Sequence, residues 1–247
     1  KGGYVGLPVA LAAWLLRRPL ILHESDAVIG LANRFTARLA TRVLLGFPGS
    51  MALSKKVEVV GNPVRPFITE GSKEQGYALT GFTPDRPVLL VWGGSQGAQE
   101  INEMLVQNFS ALKAVFQIIH VTGVGKKTGL SNPAYREFEY LKETLPHVYA
   151  ITDLVLGRAG ANSLAEVAYL QKPHVMLPLK SAANHHQEIN AAYFETHGAG
   201  LVLKDKSAFV STLAALWENA TARQTMQAAL SRIACRDAAE KIAQYLL

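Results

Sequence analysis

The stretch VLLVWGGSQGA, residues 88–98, is the part of the sequence that decides the fold. Five apolar residues, Val88–Trp92, are enough for a strand buried on both faces, and a glycine-rich turn follows them directly. A helix beginning near Gln96 would point backbone N–H groups and its positive end into this turn, which suits a phosphate. The spacing is neither the dinucleotide pattern G-x-G-x-x-G nor a Walker loop. A tight strand-to-helix turn without a ligand is the alternative interpretation.

Short apolar strands alternate with helical segments on both sides of this stretch. Further strands are predicted at 19–22, 42–45, 57–60, 116–121, 153–156, 174–177 and 200–203. Helices are predicted at 8–17, 30–40, about 97–110, 133–144, 162–170 and 186–197, and a linker at 66–86. The alternation predicts an α/β protein with parallel sheets covered by helices on both faces. Ligands of such sheets bind at the carboxyl ends of the strands.

The composition excludes several classes of protein. A chain of 247 residues allows one large or two modest domains. The single cysteine, Cys235, excludes a disulfide framework and a cysteine-based zinc site, and is typical of a reducing cytoplasm. No run of about 18 uncharged apolar residues is present that could span a membrane. The net charge of +6 is compatible with anionic lipid, nucleic acid or a nucleotide substrate, and does not choose among them.

Two polar segments follow other predicted strands. The segment HESD, residues 23–26, is either a solvated loop or a catalytic or substrate-binding loop. In RAGANSLAE, residues 158–166, small residues open a helix that could face a phosphate, and Glu166 could accept two hydrogen bonds from a ribose diol. The competing interpretation is a capping box, because Ser163 and Glu166 have the required i, i+3 spacing.

A third polar cluster, NHHQE at residues 184–188, precedes a predicted helix that carries Asn190. Adjacent histidines point to different faces of a helix, and no Asp, Cys or third His lies at ligand spacing. No metal site is therefore expected. Asn and Gln side chains both donate and accept hydrogen bonds, which suits a ligand rich in hydroxyl groups.

Several short motifs occur together in a fixed order. They are GGYV at 2–5, HE at 23–24, GNPVR at 61–65, GGSQGA at 93–98, RAGA at 158–161, Glu166, and HQ at 186–187. Each is weak alone, but the ordered set closely resembles the MurG family of bacterial glycosyltransferases over the whole chain. That family moves N-acetylglucosamine from UDP-GlcNAc to lipid I and makes lipid II for peptidoglycan. The resemblance implies a GT-B architecture, with two Rossmann-like domains whose parallel sheets face each other across a cleft.

The resemblance also implies a division of the chain. Residues 1–65 would be part of an N-terminal domain on the acceptor and membrane side, and residues 66–231 would bind UDP-GlcNAc. Residues 232–247 would form a helix that packs back on the first domain. Because the chain begins with Lys inside a glycine-rich loop, the N-terminal domain is expected to be incomplete. We expect this fragment alone to bind donor without turnover.

Donor-binding residues implied by the resemblance are Arg65, Gly94, Ser95, Gln96, Gly97, Ala161, Asn162, Ser163, Glu166, His186 and Gln187. The glycine loop and Arg65 would bind the diphosphate, and the helix start at 161–163 would face the phosphates and sugar. Glu166 would hold the ribose hydroxyls, and residues 186–187 would bind hydroxyls of N-acetylglucosamine. No metal or other cofactor is implied, so loop amides, helix N-termini, Ser95 and Arg65 would stabilise the leaving diphosphate.

Acceptor-side residues implied by the resemblance are Gly2, Gly3 and Tyr4, with His23, Glu24 and Asp26 as candidate catalytic residues. A base would take the proton of the muramoyl C4 hydroxyl while that oxygen attacks the anomeric carbon with inversion. Asp26 stands where the family often has Asn, and it could serve as the base. Asn184-His185 likewise replaces the more common Asp-Asn.

A lipid acceptor implies a peripheral protein on the cytoplasmic face of the bacterial cell membrane, with no nucleic acid as partner. Trp14, Leu15, Leu16, Arg17 and Arg18 are predicted to form part of a patch on the anionic inner-membrane surface. Packing of the two leucines in the core is the alternative.

Two other functions stay open. One is a different GT-B enzyme, either a lipid or antibiotic glycosyltransferase or a UDP-GlcNAc epimerase. The other is a non-catalytic subunit that binds a nucleotide sugar.

Overall fold

The computed structural model describes residues 5–52, 55–94, 97–180, 182 and 185–245. The strands are β1 Ile21–Glu24, β2 Arg42–Leu45, β3 Val57–Val59, β4 Val88–Trp92, β5 Gln117–Val121, β6 Tyr135–Phe138, β7 Leu154–Gly157, β8 His174–Met176 and β9 Leu201–Val202. The helices are α1 Gly6–Leu15, α2 Leu31–Leu39, α3 Lys73–Thr80, α4 Gln99–Gln107, α5 Phe109–Val115, α6 Leu145–Ile151, α7 Ala161–Tyr169, α8 His186–Thr196, α9 Phe209–Glu218, α10 Ala220–Ile233 and α11 Ala238–Ala243.

The strands form two separate parallel sheets, in the order β1-β2-β3 and β6-β5-β4-β7-β8-β9. In the larger sheet β4 is central: Leu89 is opposite Ile118 of β5 on one side and Leu154 of β7 on the other. The apolar run of β4 is completely buried over residues 88–91, because helices cover both faces of this sheet. The prediction of an α/β protein with parallel sheets is confirmed.

The predicted linker at 66–86 is wrong. Residues 73–80 form α3, whose start is capped by Ser72, the side chain of which accepts a hydrogen bond from Gln75 N. Gly71 and Gly76 lie against α6, and a Cβ atom would come within 2.0 Å of Pro146 O at the first and within 2.4 Å of a backbone oxygen at the second. The glycines that made the segment resemble a linker therefore allow it to pack closely on a neighbouring helix.

The predicted helix at 133–144 is also wrong. Its first part is the edge strand β6, which pairs with β5, and the helix α6 begins only at Leu145. Tyr135 is the one fully buried residue of β6, and the other three are partly exposed. An edge strand of four residues lacks the continuous apolar run of a central strand, so its sequence resembles the start of a helix.

The C-terminal segment contacts the smaller sheet. Gly61, just after β3, has a φ of +85°, and a Cβ atom there would lie 2.1 Å from Cys235 Cβ. The Tyr245 hydroxyl donates to the Glu58 carboxylate of β3, and Arg42 of β2 lies 5.9 Å from the centre of the same tyrosine ring. These contacts connect the end of the chain to the first sheet.

Candidate functional site

A cavity of about 1300 Å³ lies where the carboxyl ends of the two sheets meet. Of the residues predicted to bind substrate or catalyse, it is lined by His23, Glu24, Asp26, Arg65, Gly94, Gly97, Ala161, Asn162, Ser163, Glu166, His186 and Gln187. Gly2, Gly3, Tyr4, Ser95, Gln96 and Asn184 lie outside the described residues. The fold thus brings three distant polar segments, the glycine-rich turn after β4 and Arg65 to one place, and the role of each residue stays a prediction.

The turn after β4 requires glycine. Gly97 has a φ of +67°, and a Cβ atom there would lie 2.0 Å from Thr122 O. Its N–H donates to Gly94 O at 3.0 Å, which closes the turn. Helix α4 then begins after Ala98, a residue whose side chain cannot cap the first N–H groups. Backbone donors at this position suit an anion that approaches closely.

Helix α7 begins in the same way, after Gly160. The capping-box interpretation is wrong, because Ser163 lies inside the helix and its partner Glu166 forms an ion pair elsewhere. The strand β7 that precedes α7 lies beside β4, with Gly157 opposite Trp92. Because these two strands are adjacent, the starts of α4 and α7 reach the same cavity.

Glu166 pairs with Arg65 in a bidentate ion pair that joins α7 to the segment following β3. Arg65 Nε lies 2.7 Å from Oε1, and Nη2 lies 2.8 Å from Oε2. The side chain of Glu166 is 7% exposed and that of Arg65 is 32% exposed. The hydrogen bond to Glu166 raises the pKa of Arg65. Burial, followed by the Glu166 charge, raises the pKa of Tyr149.

The loop after β1 is held by its own buried residues. Glu24 accepts hydrogen bonds from Asp26 N at 3.1 Å, Gly30 N at 3.1 Å and Asn33 Nδ2 at 2.7 Å. His23 Nε2 lies 2.9 Å from Gly61 O, so this nitrogen carries the proton and donates it. Glu24 and His23 thereby fix the shape of the loop, while Asp26 is only half-buried and lines the cavity.

Asn190 connects this loop to the second sheet. Its completely buried side chain accepts from Ala27 N at 2.8 Å and donates to Asp26 Oδ1 at 2.9 Å and to Ala159 O at 3.1 Å. Sequence analysis placed Asn190 on a helix but did not give it this role. The signal was weak, because a single Asn on a helix is compatible with an exposed position.

Arg158 is a second residue whose role the sequence did not reveal. It is buried directly after β7, where Nη1 donates to Leu177 O at 2.9 Å and Nη2 to Glu100 Oε2 at 2.8 Å. Glu100 lies in the first turn of α4 and also contacts Lys206. Arg158 therefore ties the end of β7 to the start of α4. An arginine placed directly after an apolar strand was the available clue.

The start of α8 presents residues 186–187 to the cavity. Gln187 Oε1 accepts from Leu179 N at 3.0 Å, so the side-chain amide nitrogen points away from that backbone contact. His185 has a φ of +52° and contacts Glu188. Among the residues that the structure describes, no group of three or more His, Cys, Asp and Glu side chains could hold a metal ion.

Helix α1 exposes apolar residues. Leu15 and Leu16 are each 71% exposed and Trp14 is 54% exposed, so the alternative that the leucines pack in the core is wrong. Leu31 and Phe35 of α2, a helix that contacts α1, are also exposed. Across the described part of the chain, every helix falls short of the length and apolar character needed to span a bilayer.

Comparison with family models identifies two matches. The glycosyltransferase family 28 C-terminal domain matches residues 88–245, and the N-terminal domain of the same family matches residues 1–45.

Named relatives share this similarity over most of the chain. A UDP-N-acetylglucosamine--N-acetylmuramyl-(pentapeptide) pyrophosphoryl-undecaprenol N-acetylglucosamine transferase 2 from Bacillus cereus is 38% identical over 100% of this chain and 72% of its own length. The corresponding transferase from Clostridium tetani is 39% identical over 89% of this chain, and the chain covers 64% of that protein. The chain therefore spans about two thirds of the length of such relatives.

Solved structures agree with these matches. MurG from Acinetobacter baumannii is 28% identical and superposes with a TM-score of 0.74, covering 99% of this chain and 71% of that one. A UDP-GlcNAc 2-epimerase from Neisseria meningitidis has a TM-score of 0.70 over 97% of this chain and 72% of its own, but is only 14% identical, so that likeness shows the fold alone.

Proposed function

This chain belongs to the MurG family within glycosyltransferase family 28, and we propose that the protein transfers N-acetylglucosamine from UDP-GlcNAc to the C4 hydroxyl of the muramoyl sugar of lipid I. The product would be lipid II, the precursor of peptidoglycan. One observation carries the proposal: the donor motifs and the polar loop after β1 meet in the same cavity, although they are far apart in the sequence.

Donor binding follows from the two helix starts. The N–H groups at the beginnings of α4 and α7 would stabilise the diphosphate, and Arg65, which lines the same cavity, would contribute a guanidinium. Glu166 would accept hydrogen bonds from the ribose diol, and residues 186–187 would bind hydroxyls of the sugar. The diphosphate leaves with the electron pair of the broken bond, so these donors would stabilise the charge that develops in the transition state.

Asp26 is the residue to which we assign the role of base. The carboxylate of Glu24 is occupied by three donors of its own loop, and His23 donates to Gly61 O, so both act as positioning residues. Asp26 would take the proton from the acceptor hydroxyl as that oxygen forms a bond to the anomeric carbon. The bond to UDP breaks on the opposite face, and the configuration is inverted.

A test of the donor site compares UDP binding by Glu166→Ala with that of the parent protein. Loss of a hydrogen bond to a charged group should weaken binding by about 1.5–3 kcal/mol. Glu195→Ala is a matched control, because Glu195 pairs with Lys204 outside the cavity. Unchanged UDP affinity in Glu166→Ala by calorimetry would refute the ribose assignment.

Product analysis tests the reaction. A chain extended to the full length of its relatives and supplied with UDP-GlcNAc and lipid I should form lipid II, and UDP-GlcNAc alone should stay unaltered; residues 1–247 alone should bind donor without turnover. Conversion of UDP-GlcNAc in the absence of lipid I to its 2-epimer would identify an epimerase instead. Donor binding without either product, by a chain extended to the full length of its relatives, would identify a nucleotide-sugar-binding subunit.

Membrane docking is proposed for the exposed face of α1. Apolar side chains of this helix would insert into the interface, while Arg17 and Arg18 would meet anionic lipid. The parent protein should float with anionic vesicles, and the triple variant Trp14→Ala, Arg17→Glu and Arg18→Glu should not. A variant with Lys127→Glu and Lys204→Glu changes the charge equally on the other part of the chain and should still float. Binding unaffected by the first set of changes would exclude this face.

A further inference from the structure

The Arg65–Glu166 pair joins two residues that the proposed function assigns to different parts of the donor. Glu166 would bind the ribose diol, and Arg65 would bind the diphosphate. In the structure, each carboxylate oxygen of Glu166 instead accepts one N–H of the Arg65 guanidinium, at 2.7 and 2.8 Å. The two side chains come from positions 101 residues apart, and both line the cavity.

This pairing conflicts with ribose binding. A planar guanidinium that bonds to both oxygens of a carboxylate covers the edge that a diol would need. The Glu166 side chain is almost completely buried, so a diol would have to approach from the cavity, where Arg65 lies. Arg65 is the more exposed partner, and its long side chain can reorient more easily than the carboxylate on α7.

We propose that Arg65 determines specificity for a nucleoside diphosphate over a free nucleoside, by competing with the ribose for Glu166. This inference rests on the proposed function. A ligand with a diphosphate would draw the guanidinium away, because the diphosphate carries more negative charge than one carboxylate. The released carboxylate would then accept the ribose hydroxyls. A nucleoside without phosphate offers nothing to Arg65 and must break the ion pair without compensation.

The change in uridine affinity depends on the fraction of protein in which the Arg65–Glu166 ion pair is broken. Apparent affinity falls in proportion to the fraction of protein in which Glu166 is available. A partly exposed ion pair is worth at most about 1 kcal/mol, which corresponds to roughly a fivefold factor. Removing Arg65 should therefore tighten uridine binding by about fivefold. The same change should weaken UDP binding about tenfold or more, because a charge-assisted contact to the diphosphate is lost.

The test measures uridine and UDP binding to the parent protein and to Arg65→Gln by ligand-observed NMR titration. In Arg65→Gln we expect uridine to bind more tightly and UDP to bind more weakly than in the parent protein. Arg65→Lys keeps the charge but loses the bidentate geometry, so its uridine affinity should fall between the two. Lys204→Gln is the matched control, since it breaks a lysine–glutamate pair outside the cavity and should alter neither ligand.

The outcomes separate this inference from the proposed function. Weaker UDP binding with unchanged uridine binding in Arg65→Gln would show that Arg65 does not compete with the ribose. It would overturn the inference and leave Arg65 as a diphosphate ligand only. Equal weakening of both ligands in Arg65→Gln and Arg65→Lys would make the arginine a structural residue and overturn the inference. A parent protein that binds neither UDP nor UDP-GlcNAc would overturn the proposed function and this inference with it.

Discussion

In the six-stranded sheet the apolar residues of β4, β5 and β7 are buried, whereas in the part built on the three-stranded sheet much of the apolar character lies on the surface of α1. The larger sheet has helices on both faces and a continuous core around Leu90 and Leu156. The smaller one has a limited core around Leu22 and Val43, and Leu16 is exposed. Apolar side chains thus stabilise the fold of the six-stranded sheet, and we propose that those exposed on α1 dock the protein on a membrane.

The strongest test of this comparison is a matched pair of leucine substitutions. Leu90→Ala removes buried methyl groups at the centre of β4 and should lower the free energy of unfolding by about 3–5 kcal/mol. Leu16→Ala removes an exposed side chain and should change it by no more than about 0.5 kcal/mol. Urea denaturation of both variants measures the difference. Equal destabilisation would show that Leu16 belongs to a core.

Acid should destabilise the six-stranded sheet through two buried histidines. Burial lowers the pKa of His120, on β5, to about 4 and that of His174, on β8, to about 3. Between pH 6.5 and 4 the unfolded chain binds protons that the folded chain excludes, so the free energy of unfolding falls as the pH falls. The expected slope is about 1.4 kcal/mol per pH unit for each histidine.

Denaturation at several pH values checks this slope. His174→Phe removes one of the two buried histidines and should lower the slope of the free energy of unfolding against pH by about 1.4 kcal/mol per pH unit. His197→Gln, which replaces an exposed histidine, is the control for the substitution itself. A slope that stays the same in His174→Phe would show that this histidine does not contribute.

Asn190→Ala tests the connection between the two regions. The change removes three hydrogen bonds and leaves Ala27 N without this acceptor, so we expect a loss of about 1–3 kcal/mol in the free energy of unfolding. The rate of N-acetylglucosamine transfer should fall more than the affinity for UDP, because Asp26 loses its contact with α8. Asn108→Ala is a control, since the Asn108 side chain donates to Met104 O, four residues away in the same part of the chain. Equal effects of the two changes would argue against a connecting role.

The smallest expected effect concerns sugar selectivity within the larger region. Gln187→Ala should weaken the binding of UDP-GlcNAc by about 0.5–1.5 kcal/mol, the usual contribution of one neutral hydrogen bond, and leave the binding of UDP almost unaffected. Calorimetry with both ligands measures this difference. Equal losses would indicate that Gln187 supports the loop at Leu179, to whose N–H it is bonded, and not the sugar.

Local patterns predicted the elements whose sequence reflects their burial. The central strand β4 could be located because a strand buried on both faces must be apolar throughout, and the turn after it because Gly97 has no room for a side chain. The segment 66–86 was misinterpreted, since glycines that allow close packing on α6 resemble glycines of a flexible linker. The edge strand β6 was misinterpreted because it is only partly buried.

The sequence by itself determined the fold class, the central strands and the family, because each depends on residue types at short spacing or on motifs in a fixed order. Only the tertiary structure decided which polar side chains meet. Arg65 binds Glu166 across 101 residues, and Asn190 binds Asp26 across 164 residues. Both contacts exist because parallel strands end at the same edge and the two sheets face each other there, a geometry that periodicity along one segment does not encode.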